Sequence, residues 1–307
     1  MLTPREVILS AGVIGTPKIL LLSGIGPVDE LKALGIETVV ESPDVGHHFY
    51  DHPLVPLYFS VHSNETFDNL LRNPDLIGAA VGEIMANGTG PLVDSPANTL
   101  HYSRVDFESL LPGSSDPANS ADSAHVEIIF CTGFAALSSL QQPASGGFTS
   151  LLAAVVSPLS EGNVTLNSTD PFANPLIDPA YLTHEFDQAA MVTAIKDGFD
   201  FIRQPPLDEF VGAPFGPLAD ATTDDELLAY ARSFGVTLNH GSGTARMAAK
   251  SSKDGVVDPD LLVKGVKGLR IVDASIFPQQ PNVHTQAVVY IAAERAAELI
   301  KSAYSLN

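Results

Sequence analysis

The opening forty residues restrict the fold more than any other stretch. The run EVILS (residues 6–10) reads as a short buried strand, and AGVIGTPKILLLSGIG follows it as a helix. Thr16 is a good N-cap, Pro17 suits the first helical position, and Gly24 can close the helix. The stretch PVDELKALGIETVVE repeats this logic. Pro27 opens a short helix, Gly35 ends it, and residues 38–40 look like a strand. Strand, helix, helix and strand at this spacing form an α/β pattern. A parallel sheet needs more strands than these two, so the segment is expected to be the closing part of a domain that begins elsewhere.

The middle of the chain reads differently. From residue 51 to about 123 it is rich in Pro, Asn, Ser and Gly and is expected to be irregular. VEIIF and the two halves of TSLLAAVVSPLSEGNVTLN read as strands. The latter two are joined by the turn residues Glu161, Gly162 and Asn163, which predicts an antiparallel pair. In HEFDQAAMVTAIKDGFDFIR, residues Phe186, Met191, Ile195, Phe199 and Ile202 recur at helical spacing. Thr223 followed by Glu226 gives a capping box for TDDELLAYARSF. A closing helix is expected over about 285–302.

Charge and cysteine usage exclude several function classes. Against 16 Lys plus Arg stand 36 Asp plus Glu, a formal net charge of −20. Phosphate backbones and anionic membrane surfaces demand cationic density, so neither nucleic acid nor membrane is an expected partner. No run of 18 apolar residues occurs. The single Cys131 allows no intrachain disulfide and no Cys-based metal cluster. Four N-x-S/T sequons, at Asn64, Asn87, Asn163 and Asn167, suggest a secreted glycoprotein. The start MLTPREVILSAG has no signal-peptide pattern, so secretion would require an upstream start.

Two of the nine histidines stand out by setting. His240 lies in the Gly-rich turn NHGSGTARM, where Gly241 and Gly243 let the backbone approach a bulky group. His284 lies at the mouth of the closing helix, whose first N–H groups, on Thr285, Gln286 and Ala287, favour developing negative charge. Imidazole titrates near neutral pH and serves well as a general base. His47, His48, His62, His101, His125 and His184 read as structural or solvent-exposed. His48 and His52, four apart in GHHFYDH, could share a helix face, but no H-E-x-x-H occurs and no metal site is expected. No G-x-S-x-G supports a serine nucleophile.

Four blocks taken together resemble one family. GVIGTPKILLLSGIGP (12–27), VGHHFYDHP (45–53), NHGSGTARM, and VVDPDLLVKGVKGLRIVDASIFPQQPNVHTQAVVYIAAERAAELI are similar, in this order, to blocks of the glucose–methanol–choline (GMC) flavin oxidoreductases. The N-x-H-T-Q context of His284 is similar to the aryl-alcohol oxidase branch. The resemblance implies an α/β (α+β) protein with part of a Rossmann-like FAD-binding domain. A substrate domain built on an antiparallel sheet with helices completes it. The implied spans are 1–52 for part of the FAD domain, 53–233 for the substrate domain, and 234–307 for the rest of the FAD domain with the His pair.

The implied reaction is FAD-dependent oxidation of a primary alcohol, aromatic alcohols included, to an aldehyde. The residue matching His240 takes the hydroxyl proton while hydride passes to the flavin, and the residue matching His284 hydrogen-bonds the substrate oxygen. Ala11, Gly12, Asp273, Ala274, Thr285 and Gln286 match positions near the cofactor. Glu127, Phe134 and Asn239 are implied to line the substrate pocket. Oxygen or a quinone would take the electrons, and family habit agrees with an extracellular location.

Four features depart from the pattern. The G-x-G-x-x-G that holds the pyrophosphate in full members is absent, so the chain resembles only the C-terminal half. Asn239 stands where relatives often carry an aromatic or apolar residue, and Gly241 stands where Pro is usual. HHFYDH replaces the usual NL-x-DH. Alternatives therefore stay open: an inactive remnant of such an enzyme, or a cyanohydrin lyase of the same fold.

Overall fold

The structure is a computed structural model that describes residues 5–63, 65–118 and 120–306. In chain order it opens with strand β1 (Val7–Leu9), helix α1 (Gly12–Leu22), β2 (Ile25–Gly26), α2 (Val28–Ala33) and β3 (Val40–Glu41). Then come β4 (Pro53–Val61), α3 (Phe67–Arg72), α4 (Pro74–Asn87), β5 (Thr99–Ser103), α5 (Phe107–Leu110), β6 (Val126–Cys131) and β7 (Gly147–Val155). The remainder is β8 (Asn163–Thr165), β9 (Leu176–Asp178), α6 (Glu185–Ile202), α7 (Leu207–Phe210), β10 (Val211–Pro214), α8 (Asp224–Phe234), β11 (Val236–Thr237), β12 (Leu269–Ile271) and α9 (Thr285–Tyr304). Among the described residues no helix is long and apolar enough to cross a membrane.

Two compact units divide the chain. The first comprises Met1–His52, Pro158–Thr183 and Asn239–Asn307; the second comprises Pro53–Ser157 and His184–Leu238. The 53–233 span expected for one domain is therefore interrupted, because residues 158–183 belong with the first unit. The last crossing falls at Asn239 rather than at 234.

In the first unit, β1 runs parallel to β12, with Ile8 opposite Arg270. The strand after Leu9 turns straight into α1, which starts four residues before the expected Thr16. Thr16 and Pro17 lie inside this helix. The reason is a cap from far along the chain. The Asp273 carboxylate accepts the Gly12 N–H at 3.0 Å and the Thr16 hydroxyl at 2.6 Å, so the first turn needs no local cap. The expectation of a buried opening strand fails: Val7 and Ile8 are 47% and 45% exposed. Among the described residues β1 has only β12 beside it, and a two-stranded sheet cannot cover its own faces. The core of this unit gathers Leu20, Leu21 and Leu31 with Val257, Ile271 and Ala296.

The second unit is built on a six-stranded antiparallel sheet of order β10-β4-β7-β6-β5, with β11 also against β4. Strand β4, PLVPLYFSV, overturns the expectation that 51–123 is irregular. Its first seven residues are all buried, and it pairs with β7 from Leu54↔Ala154 to Val61↔Gly147. Pro53 and Pro56 hide it in the sequence, because Pro cannot donate to a ladder. Helix α4 was hidden by composition yet carries ordinary signals. Asn73 caps it, Pro74 opens it, and Gly88 closes it in the left-handed region at φ 66°. The expected β7–β8 hairpin does not form. β7 pairs with β4 and β6, whereas β8 pairs with β9 in the first unit. Helices α6 and α8 fall where periodicity puts them, and the Thr223–Glu226 capping box is complete.

Candidate active site

The site is assembled on the first unit from three separate segments. The turn carrying His240 is clamped from both sides. Tyr50 and Ser242 exchange backbone hydrogen bonds at 3.0 and 2.8 Å, and Ala245 and Met247 donate to the carbonyls of Ser275 and Ile276. Gly243 has φ +90°, and a Cβ there would lie 2.2 Å from the His48 carbonyl oxygen. A side chain at that position would therefore force the turn off its partner. The loop after β12 then delivers His284 to the N-terminus of α9.

His240 and His284 come together. Their ring centroids are 4.7 Å apart at 68°. His240 is 9% exposed, and burial, followed by the neighbouring His284 ring, pulls its pKa down to about 4, against an opposing pull from Asp51. It is therefore a neutral imidazole at neutral pH, able to accept a proton. His284 occupies the N-cap position of α9, and its own side chain makes no capping hydrogen bond. The amide groups of that turn present a positive helix end beside the two imidazoles.

Residues that sequence reasoning missed hold this pair in place. Asp51 accepts the backbone N–H of His240 at 2.9 Å and that of His52 at 2.8 Å through Oδ1. The Tyr181 hydroxyl donates to its Oδ2 at 2.5 Å. The Gln280 side-chain amide donates to the His240 carbonyl at 3.1 Å, and its oxygen accepts from Ser242 at 2.5 Å. His52, fully buried, places its Nδ1 2.9 Å from Nδ1 of His240. The Asp-His-Pro triplet inside VGHHFYDHP marked Asp51 and His52. Nothing in the PQQP loop marked Gln280. His48 and His52 share no helix, for His48 sits at φ 57° outside any helix. Among the described residues no group of three or more His, Cys, Asp or Glu is arranged to hold a metal.

The other expected residues fall as follows. Asp273 bonds Gly12 and Thr16 through Oδ2 and the Ser275 N–H at 2.8 Å through Oδ1. This places Gly12, next to Ala11, and Ala274 around one buried carboxylate. Open space lies where a Gly12 Cβ would project, so the backbone there can be approached closely. Thr285 is buried and Gln286 exposed on the first turn of α9. Asn239 is exposed at φ 61°, a region Asn tolerates better than most residues. Glu127 and Phe134 lie in the second unit. Glu127 is 1% exposed on β6 opposite Tyr102, whose pKa is raised by burial and by its hydrogen bond to Glu127. Phe134 stacks on Tyr58 at 4.0 Å and meets Phe148 and Phe215 edge-on. The buried Asp68 fixes that cluster by accepting the N–H groups of Phe134 and Phe148.

Two family profiles, both of GMC oxidoreductases, match the chain over residues 1–54 and 158–293. The chain belongs to the GMC oxidoreductase family. The dehydrogenase eriK of Hericium erinaceus is 35% identical over 98% of this chain and 51% of its own length. Pyranose dehydrogenase 3 of Leucoagaricus meleagris is 36% identical over 98% and 50%. A crystal structure of formate oxidase from Aspergillus oryzae RIB40, studied for the modification of its FAD, superposes with a TM-score of 0.90 at 33% identity, covering 99% of this chain and 55% of that one. This GMC oxidoreductase chain thus spans about half the length of the curated relatives it matches, and its mixed α/β architecture is that of the formate oxidase.

Proposed function

We propose that this GMC chain carries the proton-handling half of an FAD-dependent oxidation of a small-molecule alcohol. The observation that carries the reading is His240: a buried, neutral imidazole beside His284 at the N-terminus of α9. FAD suits the residues present, since the helix end and the open Gly12 backbone are fitted to a planar group that gains negative charge. When bound, FAD would supply the acceptor for the hydride of the carbinol carbon. Ala11, Gly12, Asp273, Ala274, Thr285 and Gln286 would hold it, with Asp273 acting through the α1 N-terminus.

The chain's own residues account for the proton. His240 accepts the hydroxyl proton of the alcohol, which raises electron density on oxygen and loosens the geminal C–H bond. His284 donates a hydrogen bond to that oxygen and orients it. Asn239, Glu127 and Phe134 are the residues we assign to substrate binding. The first unit is assigned to the FAD-binding domain and most of the second to the substrate-binding domain. A primary alcohol is the proposed donor, aromatic or sugar-like, and oxygen or a quinone the terminal acceptor. Two measurements decide. The protein is incubated with FAD, desalted and scanned, then given benzylic, aliphatic and pyranose alcohols without oxygen. Retained visible flavin bands that bleach with one class of alcohol establish the reading and the class. A colourless protein, or bands that no alcohol bleaches, overturns it for this chain.

We also assign the chain to the secretory route, since Asn87 and Asn167 are exposed sequon residues and Asn163 is half-buried in β8. Asn64 lies outside the described residues. A mass drop on endoglycosidase treatment of protein from a eukaryotic secretory host is the expected result. An unchanged mass removes the assignment.

A further inference from the structure

We infer that His52 is a positioning residue that locks His240 in the tautomer a base requires, with the proton on Nδ1 and a lone pair on Nε2; this rests on the proposed proton acceptance by His240. The two Nδ1 atoms are 2.9 Å apart and the rings stand nearly perpendicular, at 85°. At that distance one proton lies between them, and two neutral rings can share it in only two ways. If His240 donates, its Nε2 is bare and basic. If His52 donates, His240 must carry its proton on Nε2 and offers an acid where a base is needed.

Charge balance separates the two. On taking a proton from an alcohol, His240 becomes an imidazolium with N–H on both nitrogens. With His52 as acceptor the hydrogen bond survives this change, because Nδ1–H still faces a lone pair. With His52 as donor, two N–H groups would face each other inside a fully buried contact, and a ring would have to turn. Only the first arrangement serves both protonation states in one geometry.

The surroundings leave the rings little freedom to exchange roles. The Asp51 carboxylate pins both backbones by accepting the N–H groups of His52 and His240. Gln280 holds the His240 carbonyl. His52 follows directly on Asp51 and precedes β4, so its ring enters from a segment that the Tyr50–Ser242 backbone bonds and the Asp51 carboxylate tie to the His240 turn. A single carboxylate thus sets the separation of the two imidazoles, and their hydrogen bond sets the proton. The base is prepared before any substrate arrives.

The test reads the proton directly. Protein labelled with 15N at histidine is examined at pH 7.5 without FAD by long-range 1H–15N correlation, and His240 is assigned by the signal lost in His240→Gln. Expected is a His240 ring protonated on Nδ1 and bare on Nε2. In His52→Leu, which offers no acceptor, the Nδ1–H form should fall from nearly all of the population to a minority. In His52→Asn, whose amide oxygen takes the place of Nδ1, it should be restored. A wild-type His240 protonated on Nε2 overturns the inference, as does a tautomer unchanged in His52→Leu. The wild-type measurement decides even if the leucine variant fails to fold. Neither flavin nor turnover enters this readout, so a failure of alcohol oxidation and a failure of the lock are separately visible. In flavin-loaded protein the same series should lower kcat in His52→Leu with KM little changed, and recover it in His52→Asn.

Discussion

Replacing His240 with alanine is expected to slow anaerobic flavin reduction by an alcohol by about 10²- to 10⁴-fold, the range that a positioned general base contributes. Flavin content should remain near that of the parent, because the His240 side chain is not among the groups assigned to hold the cofactor. The pH dependence of the parent protein adds a second signature. Burial holds the pKa of His240 down at about 4, so its acid limb should be centred near 4 instead of the usual histidine value of about 6.5. The same shift bears on stability, and the sign is fixed. An unfolded chain binds a proton at this residue below about 6.5, whereas the folded chain refuses it until about 4. His240 therefore costs nothing above 6.5 and weakens the fold as pH falls from 6.5 to 4. Stopped-flow reduction across pH 4–9 checks the first point. An acid limb near 6.5, or an alanine variant as fast as the parent, would remove His240 from the base role.

The largest expected loss of stability comes from Arg270→Leu. Arg270 is 2% exposed on β12, and its Nε lies 3.2 Å from Glu6 Oε1, with Nη2 3.4 Å from Oε2. The guanidinium also donates to the Asp260 carbonyl, and the Tyr304 hydroxyl reaches Glu6 Oε2 at 3.0 Å. Removing one partner of a buried pair strands the other charge and costs about 3–5 kcal/mol. The double variant Glu6→Leu with Arg270→Leu should recover most of that loss, since it is the unpaired carboxylate that is expensive, not the absence of the pair. Urea midpoints for the two variants provide the check. If the double variant is as unstable as the single one, the Asp260 contact outweighs the ion pair.

How much was readable beforehand depended on where each signal sits. The capping box at Thr223 and the periodicity of α6 are local, and they appear where local rules place them. The family resemblance carried His240 and His284, because both stand in contiguous motifs. What stayed hidden depends on partners far apart in sequence. Strand β4 reads as loop because Pro53 and Pro56 suppress the strand signal, yet β7 and β11 stabilise it by pairing. The start of α1 was misplaced because its cap, Asp273, lies 261 residues away. The β7–β8 turn looked like a hairpin because turn chemistry says where a chain bends and not which strand it meets next. His52 was weighed only against His48, its sequence neighbour, whereas its partner is 188 residues distant.

The same separations bear on the order in which the molecule takes shape during synthesis. The second unit draws on two stretches that both end by Leu238, so its sheet can close while the ribosome is still adding the final segment. The first unit has no such option. Its β1–β12 pair, the Asp273 cap on α1 and the His52–His240 contact all require sequence from its latest part. Until then Val7, Ile8 and the apolar face of α1 wait without their partners. Closing contacts this remote is slow, and it leaves the early segment dependent on chaperones or on refolding after release. The histidine pair thus assembles only after His284 has been made, and nascent chains that stop short of it carry no assembled pair.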